Sequence, residues 1–262
     1  MKFLLLFLSL NSFAIIETKD YETIFNKVDE VLKNYSPDRV LFVTDLDNTL
    51  LATSTDVASD QWVSHQVELI KNNPSSPLKL FDDFPTLLKA WHAVMGLQTM
   101  RKTEDYIPGK LKKLQEKGVH TMVLTSRAHV IREETMRELR KNNFDFQNKP
   151  FSANFRGHLE ATGKTIDFKN GVAMTEGAHK GNALEYILKK LNKEYDVIFF
   201  IDDHKKHTVR VEDVFSKKAT VYSYRYGKED ENVNAYKNSP KRISEAIKSL
   251  MDQYLKICTI HL

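Results

Sequence analysis

The sequence predicts an α/β fold, a Rossmann-like parallel sheet flanked by helices, with a helical cap inserted after the first core strand. Three observations carry this. The apolar runs Val40–Val43 and Val197–Ile201 have the character of strands buried on both faces, and Val119–Leu124 reads as a further strand. Segments with apolar residues at helical spacing separate them. Each run ends in a polar cluster: Asp45/Asp47/Thr49, Thr125/Ser126/Arg127 and Asp202/Asp203. The carboxyl ends of parallel strands are where open α/β sheets bind ligands.

The elements follow in order. Lys2, the apolar run Phe3–Leu10 and the small residues Ser12 and Ala14 have the pattern of a secretory signal peptide, residues 1–14, with a mature chain from Ile15. The run is far shorter than a membrane span needs, and no later segment is long and apolar enough, so no span is expected after cleavage. This predicts an exported protein, periplasmic or secreted. The single cysteine, Cys258, rules out an intramolecular disulfide despite the predicted export, and is expected to pack in the last helix.

Ile24, Phe25, Val28, Val31 and Leu32 mark a first helix, and Pro37-Asp38 a turn into the first core strand. Residues 52–105 lack a clear strand but carry helical stripes around Trp62–Ile70 and Phe84–Val94; they are read as the cap. The core, 15–51 and 106–262, resumes with a helix from Pro108 to Gly118, the second strand, and a charged helix Val130–Lys141. Residues 144–178, punctuated by four glycines, are expected to be irregular with hairpins. A helix Lys180–Leu191, the third strand, a helix from about His207, a strand Ala219–Tyr224 and a last helix Ser239–Ile257 complete the pattern. The alternating Tyr222, Tyr224 and Tyr226 are expected on an edge strand, and Trp62 and Trp91 in packing.

A length of 262 residues suits one α/β core with an insertion. With 41% hydrophobic and 28% charged residues the chain is too apolar for disorder. The net charge of +4, from 39 basic and 35 acidic residues spread along the chain, gives no basic patch, so no nucleic-acid partner is expected.

Asp45 and Asp47 are the most informative pair. In an extended chain, residues i and i+2 share a side. Two carboxylates so placed repel unless a cation or proton is shared. The arrangement points to a hard metal ion, a nucleophile and an acid/base.

These motifs together resemble the haloacid dehalogenase (HAD) superfamily of phosphotransferases. Val43-Thr-Asp45-Leu-Asp47-Asn-Thr49 is similar to its first motif, Thr125-Ser126-Arg127 to its second, Lys180 to its third and Asp202-Asp203 to its fourth. The longer signature, with Ser59-Asp60-Gln61-Trp62, resembles an exported bacterial HAD-like family designated a domain of unknown function, and also the secreted acid phosphatases of the superfamily. The resemblance implies a small phosphorylated substrate, Asp45 as nucleophile and Asp47 as general acid and then base. It implies phosphate binding by Thr125, Ser126 and Lys180, and Mg²⁺ held by Asp45, the Asp47 carbonyl and Asp203 with Asp202 in support. Arg127 is left between phosphate and an aspartate as partner. Four residues after Asp203, where the superfamily often has Asp or Asn, stands His207; that weakens the expected metal site. His204 and His207 also permit a zinc reading, against which an exposed helix start is preferred. The competing expectation is a catalytically weak or inactive HAD-like binding or host-interaction protein of the cell envelope. Substrate identity and oligomeric state are not legible.

Overall fold

The computed structural model describes residues 15–260, apart from 148–150 and 152, and leaves out the side chains of 253–260. The expected signal peptide therefore lies outside the described residues, as does the Cys258 side chain.

The chain runs β1 (Ile16–Thr18), α1 (Tyr21–Val31), β2 (Val40–Thr44), β3 (Leu51–Thr53), α2 (Asp60–Asn72), α3 (Phe84–Met95), β4 (Met100–Lys102), α4 (Ile107–Glu116), β5 (His120–Thr125), α5 (Arg132–Lys141), β6 (Phe155–His158), β7 (Thr165–Lys169), β8 (Val172–Met174), α6 (Lys180–Leu191), β9 (Val197–Asp202), α7 (Lys205–Phe215), β10 (Thr220–Tyr226), α8 (Asp230–Lys237) and α9 (Pro240–Ile260). The main sheet has the order β1-β10-β9-β2-β5-β8-β7-β6. The strands from β1 to β8 in that order are parallel; β7 and β6 are antiparallel additions. This is a mixed α/β protein with a large, mostly parallel sheet flanked by helices.

Strand alternation explains why the apolar runs are unbroken. Val40 and Phe42 pack with Tyr21, Phe25 and Val28 of α1 and Leu111 and Leu114 of α4. Leu41 and Val43 point the other way, toward Leu184 and Ile187 of α6 and Val211 and Phe215 of α7. Each such side chain contributes roughly 1.5–3 kcal/mol on full burial.

Three expectations change. First, residues 51–105 do contain strands. β3 and β4 pair antiparallel, Leu51 with Lys102 and Thr53 with Met100, where the insertion leaves and re-enters the core. At three residues each they are too short to show alternation. Second, β10 is not an edge strand along its whole length, because β1 pairs with Tyr224, Arg225 and Tyr226. β1 is likewise too short to be seen in the sequence. Third, residues 155–174 are more regular than expected: the expected hairpins are there, β6–β7 and β7–β8, but through β8 beside β5 they extend the main sheet.

α2 and α3 have their own apolar cluster. Val57, Ala58, Trp62, Leu87 and Val94 pack there with Tyr236 of α8 and Ile243, Ala246 and Leu250 of α9. Arg242 of α9 donates to both carboxylate oxygens of Asp56, at 2.8 and 2.5 Å. The C-terminal helices are thus built onto the inserted helices. Trp62 is fully buried and Trp91 donates its indole N–H to the Ala58 carbonyl, both packing roles as expected.

Candidate active site

The register of β2 and β9 brings Asp45 to Asp202 and Asp203. Thr44 lies level with Ile201, and the Asp45 N–H donates to the Ile201 carbonyl at 2.8 Å. The ladder therefore continues one residue past β2 and sets Asp45 beside Asp202. On the other side Thr44 is level with Val123, so Thr125 stands one residue beyond Asp45 on the neighbouring strand.

The chain then turns sharply. The N–H groups of Leu50 and Leu51 both donate to the Leu46 carbonyl at 3.0 Å. Asn48 takes a φ of 55°, which asparagine tolerates better than most residues. Asp47 lies inside this turn, its side chain 20% exposed. Thr49 is buried; its hydroxyl accepts from the Asp203 N–H at 3.2 Å and its carbonyl accepts from the Thr103 hydroxyl at 2.7 Å.

Lys180, the first residue of α6, is the best-tied group. Its Nζ donates to Asp45 Oδ1 at 2.5 Å and to Asp202 Oδ2 at 2.6 Å, and only 1% of the residue is exposed. Its placement follows from local structure. His179 caps the helix by accepting from the Asn182 N–H at 3.3 Å. Gly181 lets α6 approach α7: a Cβ there would lie 2.1 Å from the Arg210 carbonyl oxygen.

The electrostatics follow from burial. Burial pushes the Asp45 carboxyl well up, Lys180 opposes that, and Asp202, Asp203 and Asp47 add to it. Burial and Asp203 raise Asp202 too, against Lys180. Burial opposes the Lys180 charge, but the two carboxylates outweigh it and raise its pKa. Asp202 is fully buried; one oxygen takes Lys180 and the other accepts from the His204 N–H at 2.9 Å.

Oxygens of Asp45, Asp202 and Asp203 lie within 4.8 Å of one another. This all-oxygen donor set suits a hard cation such as Mg²⁺ better than a soft one. A second group joins Asp203 to His204 and to Asp60 of α2. His204 Nδ1 lies 2.8 Å from Asp203 Oδ1, and that hydrogen bond raises the imidazole to about 9. A metal-binding histidine makes the same carboxylate contact with its second ring nitrogen. His207 is not at an exposed helix start. It is buried, its Nδ1 has no partner among the described residues, and burial with nearby Lys180 pushes it down to about 2. It stands as a neutral ring.

The Thr125-Ser126-Arg127 cluster divides. The Thr125 hydroxyl accepts from the Arg127 N–H at 3.2 Å, and the Thr125 carbonyl holds Thr175. Ser126 is exposed, and its carbonyl accepts from the Gly177 N–H. Arg127 pairs with an aspartate: Nε donates to Asp47 Oδ2 at 2.9 Å and Nη2 to Oδ1 at 2.7 Å.

Residues 17–256 match the profile of a family described as "Protein of unknown function (DUF2608)". The chain belongs to the DUF2608 family. Curated relatives are distant. A "Putative outer membrane protein" of Chlamydia pneumoniae is 21% identical over 188 residues, 72% of this chain and 69% of its own. Proteins of the same name from Chlamydia trachomatis and Chlamydia muridarum are each 21% identical, covering 69% and 85% of this chain and 66% and 82% of theirs.

Within this DUF2608 protein, sequence reasoning gave no role to Asp60. It follows the N-cap Ser59, whose hydroxyl accepts from the Trp62 N–H at 3.1 Å. An acid in a first helical turn reads as a partner of the helix dipole, which masks any other role. In the fold, burial and the neighbouring Asp203 raise it to about 6. The Ser59-Asp60-Gln61-Trp62 signature was the available signal.

Proposed function

We propose that this protein is an exported, Mg²⁺-dependent phosphomonoester hydrolase with a HAD-like core, acting through an aspartyl-phosphate. The observation that carries the reading is the Asp45–Lys180–Asp202 triad, buried at the carboxyl edge of the sheet with Asp203 beside it.

Asp45 attacks phosphorus and forms a P–O bond as the ester P–O bond breaks. The leaving alkoxide takes a proton from Asp47. Asp47, now a carboxylate, takes a proton from water as that water attacks the aspartyl-phosphate, releasing phosphate and regenerating Asp45. Lys180 fixes the Asp45 carboxylate and offsets negative charge. Thr125 offers a hydroxyl proton toward the phosphoryl group, and exposed Ser126 lies beside it. Asp45, Asp203 and the Asp47 carbonyl are the groups that would hold Mg²⁺, which supplies charge neutralisation between an anionic nucleophile and an anionic substrate.

Export rests on the N-terminal pattern and on relatives named as outer membrane proteins. Among the described residues no helix is long and apolar enough to cross a membrane. Those names favour a second reading, a binding protein of the envelope without turnover. Intact-mass and peptide analysis of enzyme quenched during turnover of a phosphomonoester panel with Mg²⁺ separates the two. A phosphoryl adduct on the peptide holding Asp45 supports the hydrolase; a folded protein with no adduct and no phosphate release supports the binding protein.

A further inference from the structure

We infer that Arg127 is the residue that positions Asp47 for proton transfer and that it acts through Asp47 rather than on the phosphate. The inference rests on the hydrolase reading above.

The geometry carries it. Both Asp47 oxygens are gripped by one guanidinium, at 2.9 and 2.7 Å. A two-point fork fixes the plane of a carboxylate as well as its place; when Asp47 carries the proton it gives up one of these two contacts and the other keeps it in position. The guanidinium is itself fixed. Nη1 donates to the Thr135 hydroxyl at 2.9 Å, and that hydroxyl donates to the Ile131 carbonyl at 2.8 Å. Nη2 also lies 3.2 Å from Met100 Sδ and 4.0 Å from Met95 Sδ.

The Arg127 side chain is 2% exposed, whereas Asp47 is 20% exposed. The open side of the pair is thus the carboxylate, and the cation is sealed behind it. An arginine meant to clamp an incoming phosphate would need its fork free and facing the opening. This fork is spent on Asp47 and closed off by Met95 from the end of α3 and Met100 from β4. Those two methionines come from the insertion and its base, so the packing of the insertion bears on Arg127 and through it on the proton carrier.

A positioning role of this kind has a kinetic signature. General-acid help matters for an alkyl phosphate, whose leaving group is strongly basic, and little for an aryl phosphate whose leaving group departs unaided. The test compares glycerol 2-phosphate with 4-nitrophenyl phosphate in Mg²⁺, using full-length wild type, Arg127→Lys, Thr135→Val, Asp47→Asn and the Asp47→Asn/Arg127→Lys pair. Thermal melts establish folding. Lysine keeps the charge but cannot grip both oxygens. Thr135→Val keeps the arginine but frees its orientation, and carries the test if Arg127→Lys does not fold.

The expected result for Arg127→Lys is a loss in kcat/KM of about a hundredfold on the alkyl ester and under about threefold on the aryl ester, with a smaller split of the same sense for Thr135→Val; kcat/KM ends at formation of the aspartyl-phosphate, so the later step, in which Asp47 is the base for both esters, does not enter it. The double variant should be no worse than Asp47→Asn alone, because groups that act as a unit are non-additive. Parallel losses on both esters, or losses that add to those of Asp47→Asn, overturn the positioning role and leave the hydrolase reading intact. Absence of wild-type turnover on both esters overturns that reading and this inference with it.

Discussion

Lys180 and Asp45 are joined by a 2.5 Å ion pair in which the lysine is 1% and the aspartate side chain 8% exposed, and the same ammonium holds Asp202 at 2.6 Å. A charge group so buried is neutral in its effect on stability only while every partner is present. Lys180→Met leaves two carboxylates facing each other without a cation and is expected to cost about 3–5 kcal/mol in urea unfolding. Adding Asp202→Asn to Lys180→Met should recover part of that loss. Equal stability of wild type and Lys180→Met would remove the triad from the account.

The contact between α6 and α7 sets where Lys180 starts. Gly181→Ala places a methyl 2.1 Å from the Arg210 carbonyl oxygen, so one helix must move. A loss of about 1–3 kcal/mol is expected, by overpacking. Gly109→Ala in α4 is the control, because nothing lies within 4 Å of the added methyl. It should stabilise by up to about 1 kcal/mol through helix propensity. Equal effects of the two substitutions, measured by denaturant midpoint, would contradict the close approach.

The inserted helices and the C-terminal helices should behave as one packed layer. Tyr236 is fully buried between them, and the Arg242 guanidinium lies 5.8 Å from its ring centre. Tyr236→Ala is expected to cost about 3–5 kcal/mol. Limited proteolysis should then open sites in both residues 54–99 and α9. Cleavage confined to α9 would show that the layer is not cooperative.

Stability should peak near neutral pH, for two reasons of opposite sign. Burial lowers the pKa of His65, His92, His120, His179 and His207. Their contribution is complete above the unfolded value of about 6.5 and is lost as pH falls below it, because the unfolded chain binds the protons first. His204 is raised to about 9, so its contribution is complete below about 6.5 and is lost as pH rises toward 9. Urea midpoints measured from about pH 5 to pH 9 should trace a dome. His204→Gln should flatten the alkaline limb, and His120→Phe should soften the acid limb. An alkaline limb unchanged in His204→Gln would refute the Asp203–His204 pairing.

What the sequence disclosed follows from element length and from local pattern. Val40–Thr44 and Val197–Asp202 were legible because central parallel strands, buried on both faces, need unbroken apolar runs, and His120–Thr125 because Met122–Leu124 closes in a polar cluster like theirs. β1, β3 and β4 were not, because three residues carry no period. α8 was missed for a related reason: its eight residues bury Tyr236 alone, so no apolar stripe marks it. At the site, Asp45, Asp202 and Asp203 were readable from their positions at strand ends. The Asp47–Arg127 fork was not decided, since residues 80 apart meet only through the sheet order. The burial of His207 was missed because its surroundings, His204-Lys-Lys-His207, are polar in sequence and only tertiary packing hides the ring.

The central claim is that Asp45 is the attacking group. Phosphate release from 4-nitrophenyl phosphate and an alkyl phosphate panel, with Mg²⁺ and with chelator, is to be measured side by side for wild type and Asp45→Asn. The account predicts Mg²⁺-dependent release by wild type and a loss of at least about a thousandfold in the variant, with its fold intact. Equal release by Asp45→Asn, or no release by folded wild type on any ester, would contradict it.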